Sequence, residues 1–154
     1  MPTRSKIGFL IQHLAFSLGR TNDQVLQEQL GIGFSQFKLM MVLQKKPHIQ
    51  QKQIAAALNQ TEASISRQIK LLHDKNLLQT TVSPKNRREH ITTLTPKGVR
   101  YSEEASRILV NYYQPMFEQM SEKDQAQLFQ LLGTLHEYIC REQIDDMCRK
   151  FINE

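Results

Sequence analysis

The fold is decided by residues 61–76, which read TEASISRQIKLLHDKN. Apolar residues recur in this stretch at helical spacing, namely Ile65, Ile69 and Leu72. Thr61 is a favourable N-cap and Asn76 a plausible left-handed C-cap, so the stretch predicts a helix from Thr61 to about Lys75.

An alanine-rich helix is predicted just before it, from Gln51 to Leu58, and Asn59-Gln60 forms the turn between the two. This order predicts a helix-turn-helix, whose second helix is able to lie in the major groove of DNA. Two short helices with small residues at their turn are also a common packing unit. The pair alone therefore leaves a purely structural role open.

The period of the apolar residues changes after Asn76. Segments 77–82 and 89–94 contain threonine and β-branched residues, which favour strands. Segment 83–88 between them has turn chemistry and carries three cations. The sequence therefore predicts a basic β-hairpin, the wing of a winged helix-turn-helix, with a merely solvated turn as the alternative.

Further helices are predicted on both sides of this module. Before it, one helix runs from about Ser5 to Gln29, and a second is capped by Ser35 and ends before Pro47. Residues 48–50 are predicted to form a short strand.

After the hairpin, Thr95 is the predicted N-cap and Pro96 the first residue of a fifth helix, which Pro115 must kink or end. Ser121 is the predicted cap of a last helix with acidic residues in its first turn. The first and last helices carry more apolar surface than a small winged domain buries, which predicts a two-fold dimer; an ordinary monomeric core is the alternative.

The predicted fold class is therefore mainly α with a small β-hairpin wing. It is a winged helix-turn-helix flanked by N-terminal and C-terminal dimerisation helices in one compact chain. The predicted segments are 1–34 for the N-terminal dimerisation helix, 35–97 for the DNA-binding domain and 98–154 for the C-terminal dimerisation helices.

The charge is distributed unevenly along the 154 residues, whose net charge is +5. Twelve basic and three acidic residues lie between Lys38 and Arg100, which gives this segment +9 and leaves −4 for the rest. A basic middle between acidic ends is typical of a module that binds a polyanion, although a solvated basic face has the same composition.

Composition excludes several classes of protein. With 40% hydrophobic and 23% charged residues, the chain is neither disordered nor fibrous. Its two cysteines, Cys140 and Cys148, make no disulfide framework, so a cytoplasmic location is expected. We predict no enzymatic activity, no cofactor and no metal site, because no phosphate loop, nucleophile elbow or metal-ligand motif occurs.

Candidate DNA contacts follow from the side chains that the predicted helix leaves outside when its isoleucines face inward. On this helix and at its start they are Gln60, Thr61, Glu62, Ala63, Ser64, Ser66, Arg67 and Lys70. On the hairpin they are Lys85, Asn86, Arg87 and Arg88. Ser35 and Gln36 are further phosphate candidates. Arg67 suits either a guanine edge or a phosphate, and the sequence does not decide between them.

Six motifs occur in order along the chain: residues 7–10 (IGFL), 31–37 (GIGFSQF), 65–72 (ISRQIKLL), 77–78 (LL), 87–88 (RR) and 94–98 (LTPKG). This ordered set resembles the MarR family of bacterial transcription regulators, over residues 5–139. The resemblance implies a homodimer that binds near-palindromic DNA, usually represses, and often releases DNA when a small anionic or phenolic ligand binds. It also implies that Arg88 reaches the minor groove, with Arg87 as a close second.

The chain departs from the family pattern in the wing. Ser83 and Asn86 stand where the family usually carries acids, and Thr80 and Thr81 stand where arginines are common. Since acids and arginines are lost together, we expect hydroxyl and amide contacts in place of a bracing ion pair. Asn76 replaces a common glycine.

The resemblance also implies a ligand space between the dimerisation helices and the winged domain. Its candidate lining residues are Phe9, His13, Phe16, Met40, Tyr112 and Tyr113, although such residues at helical spacing are also ordinary core. The predicted function is a sequence-specific DNA-binding repressor. The alternatives are a winged-helix module that binds protein, and an architectural DNA binder without a ligand.

Overall fold

The computed structural model describes residues 2–87 and 90–140, and it is mainly helical with one β-hairpin. In chain order the elements are α1 (Thr3–Leu30), α2 (Phe34–Lys45), α3 (Gln51–Ala57), α4 (Glu62–Asp74), β1 (Leu78–Val82), β2 (His90–Leu94), α5 (Pro96–Phe117) and α6 (Glu122–Cys140). The predicted fold class is confirmed.

The chain divides into two compact units, residues 1–109 and 110–154, with the division inside α5. The core of the first unit is built around α2, which packs against α1, α3, α4 and β2. Its largest fully buried apolar side chains are Leu26, Ile32, Leu39, Met40, Leu43, Ile54, Ile65, Leu72 and Leu77. The predicted segment boundaries after residues 34 and 97 stay predictions.

The start of α2 differs from the prediction. Gly33, in extended conformation, is the N-cap, and its N–H donates to Gln36 Oε1 at 2.9 Å. The prediction that Ser35 caps this helix is wrong, because Ser35 already lies in the first turn. Helix α1 ends as expected at Gly31, whose φ of 66° is left-handed and therefore suits glycine.

The predicted short strand at residues 48–50 is also wrong. His48 has a φ of 72°, and a left-handed residue interrupts an extended run. In the described ranges the sheet has two strands, β1 and β2, which pair antiparallel with Leu78 opposite Leu94 and Val82 opposite His90.

The caps of the last two helices are confirmed. Thr95 Oγ1 accepts from the Gly98 N–H at 3.0 Å, and Ser121 Oγ accepts from the Asp124 N–H at 3.2 Å. Pro115 lies inside α5, which ends two residues later at Phe117. Within the described part of the chain, none of the helices has the length and apolar character needed to cross a bilayer.

Candidate nucleic-acid interface

Helix α4 is fixed at its start by two side chains. Thr61 Oγ1 accepts a hydrogen bond from the Ser64 N–H at 3.1 Å, as expected of an N-cap. Gln51 Nε2, at the start of α3, donates to the Glu62 carbonyl oxygen at 3.0 Å. The first turn of α4 is therefore held both by its own cap and by the preceding helix.

The turn of the helix-turn-helix depends on Asn59, which has a left-handed φ of 50°. The Gln60 N–H then donates to the Ala55 carbonyl at 2.9 Å. Gln60 is half-buried, and its Oε1 accepts from Ser64 Oγ at 3.1 Å. Two of the predicted DNA contacts thus bond to each other and brace the turn.

The outer face of α4 is polar and positively charged. Ile65 and Leu72 are fully buried and anchor the inner face. The exposed predicted contacts on α4 are Glu62, Ala63, Ser66, Arg67 and Lys70. Their 3.6-residue periodicity places Ala63, Arg67 and Lys70 on one face.

The cations of this surface are not neutralised by the fold. Across residues 2–87 and 90–140, no carboxylate pairs with Arg67 or Lys70 on α4, or with Lys85 or Arg87 on the hairpin turn. All four residues are exposed. Since none of the four has a carboxylate counterion among the described residues, the surface has the electrostatic character that suits a polyanion.

The wing turn is braced by a hydroxyl. Ser83 is buried, and its Oγ accepts from the Lys85 N–H at 3.3 Å. Farther along the hairpin, Gln79 Nε2 donates to Thr93 Oγ1 at 3.3 Å. Ser83 is one of the four positions where hydroxyl or amide contacts were expected in place of an ion pair, whereas the Gln79–Thr93 bond involves other residues. Arg88 lies outside the described residues.

The start of α2 offers few free groups for a phosphate. The Phe34 N–H donates to Asp23 Oδ1 at 2.9 Å, and Gln36 is buried with its Oε1 bonded to the Gly33 N–H. Ser35 is half-buried. Of the two phosphate contacts predicted at this helix start, the buried Gln36 side chain already bonds to the N-cap residue.

The predicted ligand-lining residues are spread over several environments. Phe9 and His13 are exposed, with rings stacked at 6.1 Å, whereas Met40 is fully buried in the core. Tyr112 and Tyr113 belong to the second unit, where their rings meet edge to face at 5.9 Å. Within the first unit, the exposed Phe9 and His13 and the fully buried Met40 therefore have different environments.

Phe16 lines an open cleft of about 790 Å³ between α1 and the start of α2. The cleft also contains Arg20, Asp23 and Phe34, and the Arg20 guanidinium lies 5.9 Å from the centre of the Phe16 ring. Phe16 is the one residue of this cleft that the sequence predicted as a ligand contact, and Ser35, which also lines it, was predicted as a phosphate contact.

The sequence also did not reveal one residue that positions α4. Gln51 contacts α4 through a backbone carbonyl, and such a partner leaves no pattern in the sequence. Leu71, exposed by 47%, lies next to Lys70 and was not among the predicted surface residues.

The comparisons with known proteins agree with this geometry. Residues 30–89, which contain the whole helix-turn-helix and the first strand of the wing, match the model of the MarR family. The HTH-type transcriptional regulator BilQ of Clostridium symbiosum is 28% identical over 113 residues, which are 73% of this chain and 77% of BilQ.

These findings support the identification of the chain as a MarR-family winged helix-turn-helix regulator.

Two solved structures share the MarR-type fold. A mutant MepR of Staphylococcus aureus bound to an oligodeoxyribonucleotide has a TM-score of 0.59 and 24% identity, with 86% of this chain and 97% of MepR covered. CouR of Rhodococcus jostii bound to p-coumaroyl-CoA has a TM-score of 0.68 and 18% identity, with 84% and 90% covered. At these identities the likeness concerns the fold alone.

Proposed function

We propose that this MarR-type regulator is a repressor that binds a near-palindromic operator as a homodimer and is released from it by a small-molecule ligand. The observation that carries the proposal is the exposed positive charge on the outer face of α4 and on the wing turn, which no carboxylate of residues 2–87 and 90–140 neutralises. MepR, which shares the fold, is bound to an oligodeoxyribonucleotide in its solved structure. We assign this chain a binding role without catalysis.

The proposed DNA contacts divide into two groups. On α4 we propose that Arg67 contacts a base edge or a phosphate, with Ala63 and Ser66 small enough to allow close approach. Lys70 lies one turn beyond Ser66 and suits a phosphate. On the wing we assign the turn to the minor groove, where the potential is most negative, with Lys85, Arg87 and Arg88 as the contacting cations.

The remaining predicted contacts keep smaller roles. Thr61 and Glu62 border the start of α4, and Asn86 lies in the wing turn. Gln60 and Ser64 hold each other, and Gln36 is buried, so we propose that these three shape the surface and do not bind DNA directly.

The proposed dimer rests on apolar side chains that the single chain leaves in water. Those on α1 are Ile7, Phe9, Leu10, Ile11, Leu14 and Phe16, all of them exposed. Those on α6 are Leu128, Phe129, Leu131, Leu132, Leu135, Tyr138 and Ile139. Soluble monomers rarely expose apolar patches of this extent, so we propose that a second copy covers them. Two-fold symmetry then places the recognition helices ~34–36 Å apart, one turn of DNA.

The proposed ligand is a small aromatic acid. CouR, which shares the fold, is bound to p-coumaroyl-CoA, a molecule that carries both an aromatic and an anionic part. The cleft beside Phe16 and Arg20 offers an aromatic face and a cation, which suit such a molecule.

The experiment that tests the proposal is a titration of labelled duplexes from the promoter of the chain's own gene and its neighbours. We expect tight binding to one of them, affinity that falls steeply with salt, weak competition by random duplex, and release by one member of a panel of aromatic acids. Equal competition by random duplex would favour the architectural alternative, and weak, salt-independent binding would favour the protein-interaction module.

A further inference from the structure

Two lysines of the basic segment donate hydrogen bonds to backbone carbonyls at helix ends, one at the end of α1 and one at the end of α4. Lys75 Nζ donates to the carbonyl oxygen of Gly31, at the turn between α1 and α2. Lys97 Nζ, in the first turn of α5, donates to the carbonyl oxygen of Lys75 at 3.0 Å. The ends of α1 and α4 are thereby connected to the start of α5.

These contacts satisfy carbonyl groups that have no helical partner. Gly31 is the C-cap of α1 and Lys75 is the C-cap of α4. The last carbonyls of a helix lack intrahelical donors and carry the negative end of the helix dipole, which favours an ammonium group. Both lysines therefore have a physical reason to point at the backbone.

The segment after α4 is held to α5 by further bonds of the same kind. Thr95 Oγ1 donates to the Asn76 carbonyl at 2.8 Å, and the Thr95 N–H donates to the Leu77 carbonyl at 3.0 Å. Three consecutive carbonyls, those of Lys75, Asn76 and Leu77, thus accept from the two residues Thr95 and Lys97. We call this set of bonds, with the Lys75 contact to Gly31, the α4 clasp.

We propose that Lys75 and Lys97 are positioning residues for DNA binding, which fix the direction of α4 through the α4 clasp and do not neutralise phosphates. This inference rests on the proposed function of α4. A helix of 13 residues is about 20 Å long at 1.5 Å per residue, so a small displacement of its C-terminal end tilts Arg67 and the first turn away from the groove.

The test separates a positioning lysine from a phosphate-binding lysine by salt dependence. A phosphate contact contributes about one unit to the slope of log Kd against log salt, whereas a lysine bound to a carbonyl contributes none. The variants are Lys75→Met and Lys97→Met, which keep an unbranched side chain but remove the donor. The matched control is Lys70→Met on the outer face of α4.

We expect Lys75→Met and Lys97→Met to raise Kd for the operator by about threefold to tenfold at every salt concentration with an unchanged slope. Lys70→Met should reduce the slope by about one. Lys75→Arg, which restores a cationic donor, should recover most of the affinity. A slope that falls in Lys75→Met as in Lys70→Met, or a Kd that does not change, would overturn the inference.

Hydrogen exchange without DNA supplies a second readout. The Asn76 and Leu77 N–H groups donate to the His73 and Leu72 carbonyls, and we expect both to exchange faster in Lys75→Met and at the normal rate in Lys70→Met. Unchanged exchange in Lys75→Met would show that the α4 clasp does not fix this end. If the unsubstituted protein bound no duplex, the proposed function would be wrong. The exchange rates would still show whether the α4 clasp fixes the C-terminal end of α4.

Discussion

The backbone of Gly98 lies directly against the carbonyl oxygen of Leu77. A Cβ atom built on Gly98 would be 2.0 Å from that oxygen, and 3.3 Å from Leu94 Cδ2. The first turn of α5 is therefore packed on the backbone that enters β1. Only a residue without a side chain allows this approach. Gly98 therefore determines how closely the first turn of α5 packs on the start of the wing.

Gly98→Ala is expected to lower the free energy of unfolding by about 3 kcal/mol, because backbone atoms on both sides must move to admit the methyl group. Urea denaturation followed by circular dichroism measures the change. Gly19→Ala, at a position in α1 with nothing within 4 Å of the added Cβ, is the control and should be neutral or slightly stabilising. Equal behaviour of the two variants would contradict the close approach.

Thr61→Ala should cost about 1 kcal/mol of stability, because it removes the acceptor for the Ser64 N–H at the start of α4. Thr61→Ser keeps the acceptor and serves as the control. Thermal denaturation of both variants checks the expectation. A loss as large in Thr61→Ser would show that the threonine methyl group, and not the cap, stabilises the helix.

Arg67→Ala should weaken binding to the operator by about tenfold or more, and by a smaller factor for random duplex, if the guanidinium reads a base. Arg67→Lys keeps the charge but not the paired donors, so it should retain random-duplex binding and lose preference for the operator. Anisotropy titrations on both duplexes measure the ratio. The same loss on both duplexes would assign Arg67 to a phosphate.

The double variant Lys85→Gln with Arg87→Gln should reduce the salt slope of DNA binding by about two, since it removes two cations that pair with no carboxylate in the described part of the chain. Arg107→Gln is the control, because its guanidinium already bonds to Glu104 at 3.0 Å. That hydrogen bond also lowers the pKa of Glu104. An unaltered slope in the double variant would remove the wing turn from the interface.

Leu131→Glu on α6 should dissociate the proposed dimer at micromolar concentration, because a carboxylate would be placed among the exposed apolar side chains of that helix. Gln130→Glu, the same new charge at the adjacent exposed position, is the control. Light scattering after size exclusion reports the mass. A dimer that survives Leu131→Glu would place the interface elsewhere.

Much of the fold was predictable because its signals are local. Thr61, Thr95 and Ser121 cap the helices that they were predicted to cap, since a cap joins residues three apart. The left-handed Asn76, with a φ of 56°, was expected for the same reason. Two local predictions failed: Gly33 and not Ser35 is the N-cap of α2, and His48 is left-handed where a strand was expected.

The composition of the interface was less predictable than its location. Sequence periodicity placed Arg67 and Lys70 on the outer face of α4, and the structure agrees. It did not show that Gln36 is buried, nor that Gln60 and Ser64 bond to each other. Those outcomes depend on which hydrogen-bond partners lie near each polar group in the folded chain. The spacing of residues along one helix does not predict those partners.

The sequence alone determined the helix order, the basic hairpin and the separation of charge, because helical period, caps and turn residues act within a few positions of the chain. Only the tertiary structure decided which lysines remain available to a polyanion and which bond to carbonyls. Lys75 and Gly31 are 44 residues apart, and only packing of α4 beside the end of α1 brings them together. A lysine in the basic segment thus has one of two roles: it bonds to a backbone carbonyl, as Lys75 and Lys97 do, or it stays exposed to solvent, as Lys70 does. Which role it has depends on whether an unpaired carbonyl lies within reach of its ammonium group.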